Sequence, residues 1–240
     1  MTAATRETSA QDERREQMLA AAVEVICERG FAETRIADVA TRANASPALV
    51  IYYFGTKDGL LTAAFRHSEE KFYRSTSELM AAQPDARAKL ESLVRVTCVK
   101  QGRDEVPGAW GLWLDLWVQA FRHPELSKDR AVFDRRWAVT IEDVVREGQG
   151  AGEFGEIDVE EFAISFAALM DGLSIQVALD DEIVDSTRAL AVAMGFAARA
   201  LGFTWVPPGR AGADSSRRNK DRQRSESTAP RAAKLPRSAR

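Results

Sequence analysis

Apolar residues recur at helical spacing along the chain as far as residue 204, and no run alternates between apolar and polar residues with a period of two. The first helical segment covers about 12–29 and ends at Gly30, a residue that commonly terminates helices. A chain without period-two alternation has no basis for a β-sheet, so the sequence predicts an all-α fold. The apolar stripe of the first helix consists of Met18, Leu19, Ala22, Val25 and Ile26.

Capping residues and breaks in the apolar pattern mark the later helices. Thr34 is predicted to cap a short second helix, Ser46 with Pro47 begins a third, and Thr56 begins a long fourth. The third and later helices are predicted over about 47–54, 56–80, 86–101, 108–122, 125–148, 158–179 and 183–202.

Composition places the chain among soluble globular proteins, with 45% hydrophobic and 29% charged residues among 240. The apolar run 162–170 is far shorter than the ~18 residues that a membrane span requires. Cys27 and Cys98 lack metal-ligand spacing, and no basic, apolar leader opens the chain. We therefore expect a cytoplasmic protein without metal, cofactor or membrane partner.

Charge is distributed unevenly along the chain. Residues 67–205 hold 15 Lys/Arg and 24 Asp/Glu, whereas residues 206–240 hold 10 and 3. The acidic middle argues against nucleic acid lying across the whole protein, so any DNA contact should be local. The basic tail, 206–240, and the polar N-terminus, 1–11, are predicted to be disordered because neither can bury enough apolar surface. Deleting the tail should reveal whether it adds non-specific DNA affinity.

The segment ASPALVIYYFGTKDGLL, residues 45–61, places two apolar faces on one short helix. At about 100° per residue, Val50 and Phe54 form a pair that suits a core. The surplus face can pack on the protein or meet a partner. A short second helix, a turn and a capped third helix fit a helix-turn-helix, whose second element enters the DNA major groove. The surplus face consists of Ala48, Leu49, Tyr52 and Tyr53.

As a recognition helix, this segment would bring its first turn and Tyr52 to base edges, where apolar groups contact thymine methyls. Ser46 and the free amides of the first turn favour a phosphate, and Lys57 adds a cation. The alternative is a helical interaction module that binds protein through the two tyrosines. The predicted DNA-binding residues are Thr34, Arg35, Ser46, Pro47, Ala48, Leu49, Tyr52, Tyr53 and Lys57.

Residues 12–61 resemble the N-terminal DNA-binding domain of the TetR family of transcriptional repressors. The resemblance rests on TRIADVATRANAS, then YYF, then Lys57 with the pair Leu60-Leu61. The start Ser-Pro-Ala, the ending GTKDGLL and the segments AWGLWLDLW and ALMDGLSIQVAL resemble the BetI-like, choline-responsive branch. The resemblance implies a helix-turn-helix domain over 12–56 and a helical ligand-binding and dimerisation domain over 57–205.

Three positions depart from the family pattern. Ile51 replaces a tyrosine that commonly contacts the DNA backbone, and the helical wheel puts Ile51 at the edge of the core side, where it can pack. Asn44 and Ala48 replace glycines. Asparagine tolerates the left-handed conformation that a turn requires, and Ala48 adds only a methyl group.

Residues 107–121 carry four aromatic residues at i, i+3, i+7 and i+11, which is either plain core packing or one wall of an aromatic pocket. Asp171 lies inside the apolar segment AALMDGLSIQ, where a carboxylate is costly unless it is paired. An arginine or a backbone amide would satisfy it, and so would a cationic effector boxed by tryptophans. The predicted effector residues are Trp110, Trp113, Trp117, Phe121 and Asp171.

The resemblance further implies a homodimer formed by the last two helices, 158–179 and 183–202, on a pseudo-palindromic operator in double-stranded DNA. A small-molecule effector would release that operator. An activator without an effector remains an alternative. An enzyme is disfavoured because the sequence shows no nucleophile–base pair, and GQGAGEFG follows a helix rather than a strand.

Overall fold

The structure is a computed structural model that describes residues 3–100, 110–121 and 124–207. Within those ranges it contains helices and no strand, which confirms the predicted all-α fold. The helices of the described residues are α1 Ala3–Glu33, α2 Ile36–Arg42, α3 Pro47–Phe54, α4 Lys57–Ala81, α5 Ala86–Cys98, α6 Trp110–Ala120, α7 Pro124–Gly150, α8 Val159–Ala178 and α9 Ser186–Leu201.

The N-terminal helices begin and end largely where their capping signals predict. The side chains of Ser46 and Thr56 accept hydrogen bonds from backbone amides at the start of α3 and α4. Gly30 breaks α1 with a φ of 77° and a ψ of 161°, a conformation that glycine adopts without strain. The helix α1 begins at Ala3, earlier than the predicted start at residue 12, in a stretch rich in good helix formers.

The prediction that Thr34 caps α2 is wrong. Arg35 occupies the N-cap position, and its backbone amide donates to the Asp38 carboxylate at 3.2 Å. The hydroxyl of Thr34 instead donates to the carbonyl of Gly30 at 2.8 Å, and Thr34 is only 1% exposed. The break at Gly30 provides the carbonyl group that Thr34 satisfies, so Thr34 closes the turn between α1 and α2.

The described residues up to Phe203 form one compact body. Helix α1 packs against α4 and α6, and α6 packs in turn against α7. The core of the helix-turn-helix segment is therefore completed by Leu112 and Leu116 from α6 and by Leu126 and Phe133 from α7. Burial of this apolar surface ties the predicted effector helices directly to the predicted DNA-binding helices.

A second packed region is built by α5, α7, α8 and α9. Phe162, Phe166 and Phe196 stack there with ring centroids 5.3–6.1 Å apart. By length and composition alone, α8 is apolar enough to cross a membrane, a test that core helices of soluble proteins also pass. It packs on three neighbouring helices while Ile164 stays exposed on its outer side.

Some predictions fall on residues outside the described ranges. Helix α5 ends at Cys98, and the remainder of the predicted helix to 101 is described only to residue 100. The first residues of the helix predicted over 108–122 and the basic tail beyond residue 207 also lie outside the description.

Candidate DNA-binding surface and effector site

Helix α3 presents a rigid, capped start to solvent. Ser46 Oγ accepts from the amide of Leu49 at 3.2 Å, and Pro47 occupies the first helical turn. Ser46, Pro47 and Ala48 are exposed, so the amides and small apolar groups of this turn are open to a large partner. Asn44 adopts a φ of 48°, which confirms the left-handed conformation predicted for the turn before α3.

The surplus face of α3 divides into exposed and partly buried residues. Tyr52 is 79% exposed, whereas Leu49 and Tyr53 are partly buried and pack against the N-terminal core. The Tyr52 and Tyr53 rings contact each other in a T-shaped arrangement, with the centroids 5.5 Å apart and the planes nearly perpendicular. Tyr53 therefore braces Tyr52 while the latter side chain projects into solvent.

Ile51 does not pack as the wheel predicts. Its side chain is 49% exposed, while Val50 is fully buried and Phe54 is partly buried. Arg15 on α1 lies over the Phe54 ring with its guanidinium 5.5 Å from the centroid. The sequence analysis missed Arg15, because the stacking joins two helices that are far apart in the sequence.

Lys57 lies at the start of α4, beside the break in α1. Its ammonium donates to the carbonyl of Ala32 at 2.9 Å and lies 5.2 Å from the centroid of the Phe31 ring. Arg35 is exposed at the start of α2. Thr34, in contrast, is buried and bonded within the protein, so its hydroxyl is not available to DNA.

The aromatic residues of α6 do not form the single wall that their spacing suggests. Trp110 donates to the carbonyl of Thr97 on α5 at 3.0 Å and meets Trp117 with the ring centroids 6.4 Å apart. Trp113 instead packs against the N-terminal core, and Phe121 is 92% exposed just after the helix ends. Helix α6 is packed against both α1 and α7, so successive turns face different neighbours.

Met170, the residue before Asp171 on α8, is connected to Trp110 through one residue of α5. The hydroxyl of Thr97 donates to the sulfur of Met170 at 3.7 Å, so one α5 residue contacts both Trp110 and the neighbour of Asp171. Burial, together with the negative charge of Asp134, raises the pKa of Asp171 to about 6. Within the described residues no arginine or lysine forms an ion pair with Asp171, so its charge is uncompensated there.

Sequence reasoning missed a second set of polar groups on α4 and α7. Glu69 is 4% exposed, and its Oε1 has no hydrogen-bond partner among the described residues. The Arg136 guanidinium lies 3.8 Å from that oxygen and stacks 3.8 Å from the Tyr73 ring centroid. The signal was present in the sequence, because Glu69 follows Phe65 and precedes Tyr73 by four residues each on the buried face.

Several carboxyl groups of α4, α7 and α8 have raised pKa values. Burial raises the pKa of Glu69 to about 7, with Arg136 opposing the rise and Glu70 adding to it. Burial also raises the pKa of Asp134, against the effect of its ion-pair partner Arg130. Three carboxyl groups on three helices are therefore held with pKa values above their usual range, an environment that favours a cationic ligand.

A cavity of about 680 Å³ lies elsewhere, between α1, α4 and the beginning of α7. Arginine and acidic side chains line it together, including Arg15, Arg66, Glu16 and Glu70. None of the predicted effector residues lines this cavity. Its mixed charge and open form do not match a site for one cation.

Two known protein families match separate parts of the chain. Residues 18–64 match the family described as bacterial regulatory proteins, tetR family. Residues 86–202 match the family described as BetI-type transcriptional repressor, C-terminal.

Individual proteins support this match. The chain is 34% identical to the HTH-type transcriptional regulator BetI of Burkholderia mallei over 185 residues, which cover 75% of this chain and 89% of that protein. A crystal structure of a transcriptional regulator from Saccharomonospora viridis in complex with choline superimposes with a TM-score of 0.72 at 27% identity, over 79% of this chain and 98% of that chain. A TetR-family regulator from Rhodococcus sp. gives a TM-score of 0.68 at 26% identity, over 79% and 99%.

Proposed function

The chain belongs to the TetR family of transcriptional regulators, with a BetI-type C-terminal domain, and on that premise we propose that it is a repressor that a small organic cation releases from its operator. Members of this family are DNA-binding regulators rather than enzymes. The observation that carries the DNA contact is the capped, exposed start of α3 with Tyr52 projecting from it. A cytoplasmic location accompanies this function.

The proposed DNA contacts are fewer than the sequence predicts. Ala48 and Tyr52 are exposed on the face that would meet base edges, and Ser46 with the first-turn amides would hold a phosphate. Lys57 supplies a further phosphate contact. Thr34 is buried and is not among the proposed DNA contacts, and Tyr53 supports the Tyr52 side chain.

Two copies of α3 would read the two halves of a pseudo-palindromic operator. Exposed apolar residues on and between α8 and α9, such as Ile164, Ile183 and Val192, favour pairing of these helices with those of a second subunit. A two-fold dimer places its recognition helices about 34–36 Å apart, at the spacing of successive major grooves.

The proposed effector is a small organic cation, of which choline is the first to test. Asp171 supplies a partly buried carboxylate without a described cationic partner, and Asp134 adds negative potential. Trp110 and Trp117 provide aromatic faces on α6, which suit a quaternary ammonium group. The choline complex of the Saccharomonospora viridis regulator supports this choice.

Release requires that the effector bind one conformation better than the other. The coupling free energy of such systems is typically about 1–3 kcal/mol, a five- to 150-fold change in operator affinity. Helix α4 carries Lys57 at its start and Tyr73 near the effector region, so a shift of α4 moves both. Mis-spaced recognition helices would then fail to reach both half-sites.

The test is a gel-shift titration with the full chain. A duplex enriched from random sequences by the protein should be bound, and choline should weaken that binding at least fivefold. Asp171→Asn should bind the duplex as the wild type does but lose the choline response. Asp143→Asn, which removes the same charge at an exposed position on α7, should keep the choline response. Failure to enrich any duplex would contradict DNA regulation, and a choline response retained by Asp171→Asn would contradict the effector site.

A further inference from the structure

We propose that Asp115 on α6 is a positioning residue for operator binding, which acts through the α1 break to hold Lys57 ready for a DNA phosphate. The inference rests on the proposed function, because it presumes that Lys57 meets DNA. It adds a polar route of three contacts from the effector helix to the DNA-contacting end of α4.

The first contact joins α6 to the break in α1. Asp115 Oδ2 accepts from the amide of Phe31 at 2.8 Å, although the two residues are 84 positions apart in the sequence. A Cβ at Gly30 would lie 3.6 Å from the same oxygen, so the carboxylate rests directly on the break. A Cβ at Gly111 would lie 3.8 Å from Cys27, which shows how closely the α6 backbone approaches α1.

The amide of Phe31 depends on this acceptor. The non-helical conformation of Gly30 interrupts the helical ladder, and Phe31 is itself buried. A buried backbone amide without a partner is unfavourable, so the Asp115 carboxylate stabilises the turn in this conformation. The same turn is closed on its other side by the hydroxyl of Thr34 on the Gly30 carbonyl.

The second and third contacts join this turn to Lys57. The ammonium donates to the Ala32 carbonyl at 2.9 Å and lies 5.2 Å from the Phe31 ring centroid. An ammonium has three donors, so two remain for a phosphate. A lysine already held in place loses less side-chain entropy on binding than a free one.

Helix α6 gives this route its regulatory value. Asp115 lies on the same helix as Trp110 and Trp117, which belong to the proposed effector site. Displacement of α6 would weaken the hydrogen bond to Phe31 and release the turn that holds Lys57.

The experiment measures operator affinity and its salt dependence without any effector. Lys57→Ala should lower the salt slope by about one unit per half-site. Asp115→Ala should lower affinity on the order of fivefold and flatten the slope in the same direction. The double variant should match Lys57→Ala alone, because Asp115 acts through Lys57.

The sign of this effect separates the proposal from simple electrostatics. Loss of a negative charge from the protein should strengthen DNA binding through space. Asp129→Ala is the matched control, because it also removes a carboxylate that accepts a hydrogen bond, but its donor is Arg66, which lies outside the route. It should leave operator affinity unchanged or slightly improved. Asp115→Asn, which keeps an oxygen acceptor, should restore most of the wild-type affinity.

If Asp115→Ala fails to fold in a thermal melt, Phe31→Leu replaces it. That variant removes the ring beside Lys57 but keeps the backbone contacts. Its loss of operator affinity should also be non-additive with that of Lys57→Ala. Effects that add fully, or an Asp115 variant that behaves like Asp129→Ala, would overturn the proposal while operator binding by the wild type stands. No enrichment of any duplex would instead contradict the proposed function itself.

Discussion

The start of α3 and the polar region around Asp171 differ in how their side chains meet their surroundings. At α3, caps, a proline and exposed residues act within a span of ten positions, and Tyr52 faces solvent. Around Asp171, the relevant groups come from α4, α6, α7 and α8, and their carboxyl groups are withdrawn from water. The first region is open to a large surface, whereas the second holds carboxyl groups away from solvent.

The contrast extends to the energetic role of each region. Exposed Tyr52 contributes little to folding, and its side chain is accessible to a partner. Glu69 is buried and Asp171 is partly buried, so both carboxyl groups oppose folding when they are charged, because loss of solvation favours their neutral forms. A cation that compensates this charge would gain affinity from the same burial.

The largest expected effect that tests this contrast is at Trp113. The sequence predicts it to be an effector residue, whereas in the structure it packs against the N-terminal core. Trp113→Ala should lower the free energy of unfolding by about 2–3 kcal/mol, because it empties space beside Phe133. Urea denaturation measures this loss. Phe121→Ala, at a 92% exposed side chain, is the control and should change stability by less than about 0.5 kcal/mol. Equal effects of the two variants would contradict the division of α6.

Tyr52 sharpens the comparison from the DNA side. Tyr52→Ala should weaken operator binding at least about tenfold, since a lost base contact costs about 1–3 kcal/mol and a dimer carries two. Fluorescence anisotropy with a labelled duplex measures it, and the thermal midpoint should not move because the side chain is exposed. Tyr52→Phe separates the hydroxyl from the ring. Unchanged operator affinity in Tyr52→Ala would remove this residue from the interface.

How much the sequence predicts follows from the same division. Local chemistry determines the ends of α3, so Ser46, Pro47 and Gly55 could be interpreted from the sequence alone, and Asn44 at the preceding turn as well. The helical wheel wrongly predicted that Ile51 packs, because a wheel treats every apolar position as a candidate for burial. A helix this short packs against the protein on only one side, and Ile51 is exposed.

The effector region depends on contacts that no local pattern contains. Spacing placed Trp113 and Phe121 with Trp110, but α6 packs against helices on several sides and its residues face different partners. Asp115 accepts from the amide of Phe31, 84 positions away in the sequence, a contact that no local pattern predicts. Asp171 was found because a carboxylate in an apolar segment is a local anomaly, and Glu69 could have been found by the same criterion.

The smallest expected effect tests the charge of the region around Glu69 by pH. Its pKa is raised from 4.5 to about 7, so between those values the unfolded chain releases a proton that the folded chain retains. The free energy of unfolding therefore falls as pH rises through this window.

Glu69→Gln cannot titrate, so its free energy of unfolding should match that of the wild type near pH 5. Near pH 7.5 it should exceed the wild-type value by about 1 kcal/mol, since loss of the Arg136 contact offsets part of the gain. Asp171 shifts in the same direction in both proteins and cancels in the difference. Urea titrations at the two pH values measure it, with Glu78→Gln at an exposed position on the same helix as the control. A difference that does not grow with pH would show that Glu69 is ionised in the folded protein and compensated by its neighbours. The contrast between the exposed start of α3 and the region of raised carboxyl pKa values would then rest on Asp171 alone.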